Sequence, residues 1–98
     1  LKKRMVSISS LLQNNNMEYV ATFYSHFGAI QFEQFCKQVS IAVHLQPVPR
    51  WLSSSCGTCA IFQVDRCIVE DIPEDILEDI EQVVEKQTEG YREIYKSN

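Results

Sequence analysis

Apolar and polar positions in the first half of the chain predict a strand followed by an amphipathic helix. Residues 18–24 are mostly apolar and rich in β-branched and aromatic side chains, as in a strand that is buried on both faces. Ser25 can cap a helix over about residues 26–39. Helical i, i+3 and i+4 spacing then places one apolar face on the sheet. That face consists of Ala29, Phe32, Phe35, Cys36 and Val39.

Two further strands are predicted on either side of a serine-rich loop. Residues 41–45 alternate between inward and outward positions, and Pro47 and Pro49 then end the strand because proline cannot donate to a sheet ladder. A third strand runs from residue 59 to about residue 64. An antiparallel hairpin is the natural pairing of these two strands. The pairing places Cys56 at the loop end of the hairpin.

The pattern in the last third of the chain predicts a helix. Asp71 can cap it, Pro73 is tolerated in its first turn, and Glu74 completes a capping-box spacing. Gly90 is expected to end or kink this helix before one more apolar turn at residues 91–95. The buried stripe of the helix is predicted to be Ile72, Ile76, Ile80, Val83 and Val84.

These elements predict an α+β fold, a two-layer βαββα sandwich that corresponds to a ferredoxin-like plait lacking its last strand. The missing strand would pair with the first strand. Its place is filled by residues 5–8, by a second subunit in a homodimer, or not at all. Residues 1–16 are interpreted as an N-terminal extension, flexible or adding an edge strand, and residues 17–98 as one domain.

Length and charge exclude several classes of protein. A chain of 98 residues can bury one modest core, and it has no apolar run near the ~20 residues of a membrane span. Residues 1–69 carry six Lys or Arg against three Asp or Glu, whereas residues 70–98 carry three against ten. Such an acidic half argues against nucleic-acid binding. Residues 1–16 lack the apolar region of a signal peptide, so a cytoplasmic location is expected.

The candidate chemistry lies in Cys56 and Cys59, two thiols separated by two residues at the end of a serine run. A thiol reacts as its thiolate, which nearby N–H groups or cations stabilise. Cys56 is therefore predicted to be the chemical centre, with Cys59 as a second thiol. The residues expected to surround Cys56 are Arg50, Ser54, Ser55 and Gly57.

Three segments together resemble the small selenium/sulfur carrier-like family. They are residues 19–25, residues 43–50 with their Pro-x-Pro-Arg, and residues 52–57 with their Ser-Ser-x-Cys-Gly run. The resemblance covers about residues 18–64 and implies that Cys56 is the carrier thiol. Thr58 and Cys59 stand where two apolar residues are expected after the Cys-Gly, which leaves a role of Cys59 open.

The resemblance implies a carrier rather than a true enzyme. Cys56 would accept a sulfur or selenium atom from a donor protein, such as the persulfide of a desulfurase, and hand it to an acceptor protein. Cys59 can resolve the persulfide by attacking Cys56. This scheme requires no metal and no bound cofactor.

Three alternatives stay open at this point. The pair Cys56 and Cys59 can act as a dithiol redox module, although such motifs open a helix and this one precedes a strand. Metal binding would use Cys36, Cys56, Cys59 and Cys67, but a single close pair is a weak zinc signature. In the third alternative the loop is only a turn, and the domain is a non-catalytic interaction module.

Overall fold

The computed structural model describes residues 16–97, which form an α+β domain with a five-stranded antiparallel sheet. Two helices, the second of a single turn, and a short 3-10 segment complete it. The strands are β1 (Met17–Phe23), β2 (Ala42–Pro47), β3 (Thr58–Val64), β4 (Ile80–Gln87) and β5 (Gly90–Lys96). The helices are α1 (His26–Gln38) and α2 (Glu74–Leu77), and the 3-10 segment is Val69–Asp71.

The central strand of the sheet is β1. The strand order is β2-β3-β1-β4-β5, so β1 pairs with β3 on one side and with β4 on the other. Val20 of β1, for example, lies opposite Ile61 of β3 and Val84 of β4. The prediction of a strand buried on both faces is confirmed, since residues 19–23 are all buried.

Helix α1 has the predicted start and the predicted packing face. The side chain of Ser25 accepts a hydrogen bond from the amide of Gly28 at 3.0 Å, which satisfies one of the free N–H groups of the first turn. Phe32 is fully buried, and its ring centroid lies 5.0 Å from that of Phe62 in β3. Val39, expected on the buried face, is instead the exposed C-cap residue.

The predicted hairpin of β2 and β3 is confirmed, with Val43 opposite Phe62 and Pro47 opposite Thr58. The strand β2 extends to Pro47, two residues beyond its predicted end. Because β2 is an edge strand, its N–H groups alternate between β3 and open space, and a residue without an N–H group is tolerated there.

The prediction of a long helix beyond residue 71 is wrong. Only Glu74–Leu77 is α-helical, and the chain then forms the hairpin of β4 and β5. The i, i+4 spacing of Ile72, Ile76 and Ile80 fits a helix, but β1 needs a second neighbour for its buried backbone N–H and C=O groups. Pairing with β4 supplies that neighbour, and this tertiary requirement overrides the local pattern.

The place beside β1, which we expected to be filled by residues 5–8, by a second subunit or not at all, is taken by β4. The α+β class is confirmed, but the βαββα plait lacking a last strand does not describe this order of elements. Residues 5–8, the proposed edge strand, lie outside the described residues. The edge of β1 gives no reason to expect a homodimer, because β3 and β4 occupy both of its sides.

Each face of the sheet has its own group of buried apolar residues. The helix-side cluster is Tyr19, Ala21, Phe23, Ala29, Phe32, Cys36, Ala60, Phe62, Val64, Ile68, Ile72, Ile80 and Val83. The loop-side cluster is Val20, Cys59 and Val84, with Val48, Leu52 and Ile61 packed against it. The loop of residues 48–57 thus covers the face of the sheet that α1 leaves open.

A partly buried polar network around Glu85 joins β1, β4 and β5. The Tyr19 hydroxyl donates to Glu85 Oε2 at 3.1 Å, and Arg92 Nη2 donates to Glu85 Oε1 at 2.9 Å. Hydrogen bonds, first of all from Arg92, lower the pKa of Glu85, while burial raises the pKa of Tyr19 to about 12. Glu85 therefore stays ionised and Tyr19 neutral at neutral pH. Within residues 16–97, no helix is long and apolar enough to span a bilayer.

Candidate reactive-thiol site

The loop of residues 48–57, which we call the thiol loop, joins the ends of β2 and β3. The amide of Val48 donates to the carbonyl of Gly57 at 3.0 Å and closes the base of the loop. The amide of Leu52 donates to the Pro49 carbonyl at 3.1 Å and forms a turn within it. Because Val48 and Leu52 pack on the loop-side cluster, the loop is anchored by its own apolar residues.

The far end of the thiol loop lies against the junction of β1 and α1. The Ser54 hydroxyl is 3.4 Å from the carbonyl oxygen of Phe23, the last residue of β1. His26 Nδ1, at the start of α1, is 3.3 Å from the Thr58 hydroxyl. The proximity of His26 to the loop arises from the fold, which places the start of α1 beside the start of β3.

The start of β4 holds the other side of the thiol loop. Ser55 donates its amide hydrogen to Glu81 Oε1 at 3.0 Å and its hydroxyl hydrogen to Glu81 Oε2. Gln82 Nε2 donates to the carbonyl of Ser53 at 3.2 Å. Sequence reasoning missed this contact because it predicted a helix, and not a strand paired with β1, for the segment that contains Glu81.

Cys56 is half-buried at the centre of these contacts. Its Sγ lies 3.4 Å from the carbonyl oxygen of Thr58, to which the thiol donates, and 4.0 Å from the Ser54 hydroxyl. The one hydroxyl hydrogen of Ser54 can go to the sulfur or to the Phe23 carbonyl. The side chain packs against the helix-side cluster and is still reachable from solvent.

Gly57 gives the loop the turn that follows Cys56. Its φ is +79°, in the left-handed region, where a residue with a Cβ is strained. A Cβ added there would meet no atom within 4 Å, so the backbone conformation rather than space requires glycine. Gly57 therefore allows the tight turn by which the chain passes from Cys56 into β3.

Cys59 is completely buried on the opposite face of the sheet. It belongs to the loop-side cluster, and its Sγ lies 3.8 Å from the Pro47 carbonyl oxygen. Burial, and secondarily the proximity of Cys56, raises the pKa of the Cys59 thiol. Cys56 packs against the other cluster and both thiols are free, so this structure does not pair the two sulfurs. A chemical role for Cys59 stays a prediction.

Arg50 is exposed in the turn at the outer edge of the thiol loop. Among residues 16–97, no hydrogen bond or ion pair fixes its guanidinium to the loop. The expectation that Arg50 supplies the cation next to Cys56 therefore stays a prediction. Ser54, Ser55 and Gly57 are the neighbours that the fold brings to the thiol.

The remaining cysteines lie elsewhere in the domain. Cys36 is buried in the helix-side cluster, where burial raises the pKa of its thiol to about 12, and Cys67 is exposed after β3. In the part of the chain that the structure describes, no three His, Cys, Asp or Glu side chains form a group that could hold a metal ion. The four cysteines that the metal-binding alternative would use are thus not gathered into such a group.

An exposed aromatic pair borders the thiol loop. Trp51 stacks on Tyr91 of β5 with ring centroids 4.1 Å apart and an interplanar angle of 27°. Trp51 remains 53% exposed and Tyr91 42% exposed. Sequence reasoning missed the pair because it assigned Tyr91 to a helix, whereas the β4–β5 hairpin brings it next to the loop.

The fold and the site together define a small α+β domain that presents one half-buried cysteine in a hydrogen-bonded loop. Residues 18–96 match the family described as "Putative Se/S carrier protein-like", and the chain belongs to this family. The match confirms the resemblance seen in residues 18–64 and extends it through β4 and β5. No curated protein and no solved structure matches the chain.

Proposed function

We propose that this protein carries a sulfur or selenium atom on Cys56 and relays it from a donor protein to an acceptor protein. The observation that carries the proposal is the placement of Cys56. It is half-buried, reachable from solvent and flanked by anchored loop residues, whereas Cys36 and Cys59 are fully buried. Membership of the Se/S carrier-like family supports the same conclusion.

The transfer is an exchange between a thiolate and a persulfide. For a sulfur cargo, the Cys56 thiolate attacks the terminal sulfur of a cysteine persulfide on the donor. A bond forms between Cys56 Sγ and that sulfur, and the bond between the terminal sulfur and the donor cysteine breaks. The donor leaves as a thiolate, which takes up the proton that Cys56 lost. The same exchange with an acceptor thiol then frees Cys56.

The surroundings of Cys56 suit a carrier better than a dithiol redox module. The Ser54 hydroxyl can donate to sulfur from 4.0 Å, so that it can also hydrogen-bond an added atom after a small shift. Cys59 is buried on the other face of the sheet, which favours release of the atom to an external acceptor. The proposal also places the protein in the cytoplasm, because a carrier thiol must stay reduced between transfers.

The element order supports a more specific description of the fold. We propose that it is a complete ferredoxin-like arrangement with an added edge strand, because β1, α1, β2, β3, α2 and β4 follow the order β-α-β-β-α-β. In this arrangement β5 extends the sheet beyond β4 and carries Tyr91 to the border of the thiol loop.

A loading experiment tests the carrier proposal. The protein is incubated with a cysteine desulfurase and cysteine, and its intact mass is measured without reductant. We expect Cys56→Ser to abolish the gain of one sulfur atom. Cys67→Ser is the matched control, because it removes the other reachable thiol and should leave loading unchanged. Equal loading of the Cys56→Ser protein would refute the proposal.

A further inference from the structure

Glu81 holds the thiol loop with both oxygens of its carboxylate. Oε1 accepts the amide hydrogen of Ser55 at 3.0 Å, and Oε2 accepts the Ser55 hydroxyl hydrogen. Hydrogen bonds to an ionised carboxylate are roughly twice as strong as those between neutral groups. Because Ser55 directly precedes Cys56, one carboxylate fixes the backbone next to the thiol.

The strand that presents Glu81 is itself firmly placed. Glu81 is the unpaired residue at an irregularity of the β1–β4 ladder, and its neighbours Ile80 and Gln82 pair with Phe23 and Thr22 of the central strand β1. The carbonyl of Glu81 accepts a hydrogen bond from the amide of Ser97 at 2.9 Å. The carboxylate therefore projects from backbone that is held on both sides, and it can act as a fixed support for the loop.

Cys56 is held between two anchors. On its C-terminal side, the carbonyl of Gly57 accepts from the amide of Val48 at 3.0 Å. On its N-terminal side, the anchor is Glu81. The placement of the sulfur, 3.4 Å from the Thr58 carbonyl oxygen, depends on the short backbone segment between these two anchors.

We propose that Glu81 is a positioning residue for Cys56, which acts through Ser55 and holds the thiol in the orientation that accepts the transferred atom. This inference rests on the proposed carrier function. Glu78 offers a matched comparison. It is an exposed carboxylate three positions away, and it accepts no hydrogen bond from the thiol loop.

The test compares Glu81→Ala and Glu81→Gln with the control Glu78→Gln, all in a Cys67→Ser background. In that background Cys56 is the reachable thiol among the described residues. Three quantities are measured: the exchange rate of the Ser55 amide hydrogen, the rate of Cys56 alkylation by iodoacetamide across a pH series, and the rate of sulfur loading from a desulfurase. Thermal unfolding checks that each variant is folded.

We expect Glu81→Ala to speed Ser55 amide exchange about tenfold or more and to slow loading about tenfold, as for the loss of a charge-assisted anchor next to a reacting group. The pH profile of Cys56 alkylation should change as well. Glu81→Gln should recover part of each effect, because its amide oxygen still accepts from the Ser55 N–H. Glu78→Gln should match the parent protein.

Two results would overturn the inference: unchanged Ser55 exchange in Glu81→Ala, or faster exchange with unchanged alkylation and loading. If the parent protein takes up no sulfur, the carrier proposal fails, and the alkylation profiles still decide whether Glu81 positions Cys56. If Glu81→Ala does not fold, Ser55→Ala replaces it. That variant keeps the amide and removes the hydroxyl contact, and it should give a smaller effect of the same sign.

Discussion

The two faces of the sheet differ in what covers them and in what they do. The helix-side face is covered by α1 and α2, and its cluster has thirteen buried residues, among them Phe32 and the two rings of Phe23 and Phe62 that pack against it. The loop-side cluster has three buried apolar residues under the thiol loop, and the Thr22 hydroxyl on the same face is buried without a hydrogen-bond partner among the described residues. The first face stabilises the domain, and the second carries the loop that presents Cys56.

The comparison also separates two cysteines that are close in sequence. Cys56 belongs to the loop and packs at the rim of the helix side, whereas Cys59 belongs to β3 and points to the loop side. The spacing of the two cysteines suggests a dithiol in the sequence. In the structure, β3 begins between them, so the two thiols lie in different environments. The two thiols therefore differ in exposure, with Cys56 half-buried and Cys59 fully buried, and their spacing in the sequence does not reveal this difference.

The largest expected effect concerns the four thiols. Cys56 and Cys67 should react with iodoacetamide in the native protein, whereas Cys36 and Cys59 should react at least about a thousandfold more slowly, because they must wait for the domain to open. Peptide mapping after timed alkylation measures the four rates. Rapid labelling of Cys59 would mean that the loop-side face opens readily and would remove the distinction between the two faces.

The next prediction concerns packing. Phe32→Ala should lower the free energy of unfolding by about 3–5 kcal/mol, because it removes a fully buried ring from the helix-side cluster. Leu52→Ala on the loop side should cost less than about 2 kcal/mol, because Leu52 is only half-buried. Urea denaturation measures both. If Leu52→Ala lowered the free energy of unfolding more than Phe32→Ala does, the loop-side face and not the helix-side face would contribute more to stability.

A smaller effect is expected from the polar network of Glu85. Glu85→Gln should destabilise the domain by about 1–3 kcal/mol at neutral pH, because Tyr19 and Arg92 lose an ionised acceptor. The pKa of Glu85 is lowered in the folded state, so its stabilisation is present above the ordinary value of 4.5 and is lost as the pH falls below it. As the pH falls below this value, the free energy of unfolding should therefore decrease more steeply for the parent protein than for the variant. Parallel pH curves would contradict this account.

The smallest effect is expected at Thr22. Thr22→Val removes a buried hydroxyl that has no partner, and it should raise the free energy of unfolding by about 1 kcal/mol. Thr58→Val is the control, since the Thr58 hydroxyl is near His26 and not sealed in the sheet. Denaturant unfolding of both variants checks this. A destabilised Thr22→Val protein would show that the Thr22 hydroxyl makes a hydrogen bond in the folded protein.

The first half of the fold could be predicted from the sequence because its signals are local. The Ser25 cap, the apolar spacing of α1 and the alternation in β2 each specify one element. The hairpin of β4 and β5 could not be recognised in the same way, because the isoleucines before it also fit a helix. Residues 88–89 form the two-residue turn of this hairpin, and Gly90 after them has a φ of +130°, but in the sequence a glycine at this position fits the end of a helix equally well.

The candidate site was predictable in part for the same reason. The thiol and its serine neighbours lie in one segment, and the structure keeps them together at the hairpin loop. Glu81 and His26 reach the loop only through the pairing of β4 with β1 and the start of α1. Contacts of this kind depend on tertiary structure, which the spacing of residues along the chain does not specify.

The central claim is that Cys56 carries the transferred atom, and the most direct test is to locate this atom on the protein with all four of its cysteines. The protein is loaded by a persulfide donor, and its free thiols are alkylated without reductant. After digestion, the mass of each cysteine-containing peptide is measured by mass spectrometry. We predict that one sulfur atom is found on Cys56 and that Cys36, Cys59 and Cys67 carry none. An added atom found on Cys67 or Cys59, with Cys56 unmodified, would contradict the account.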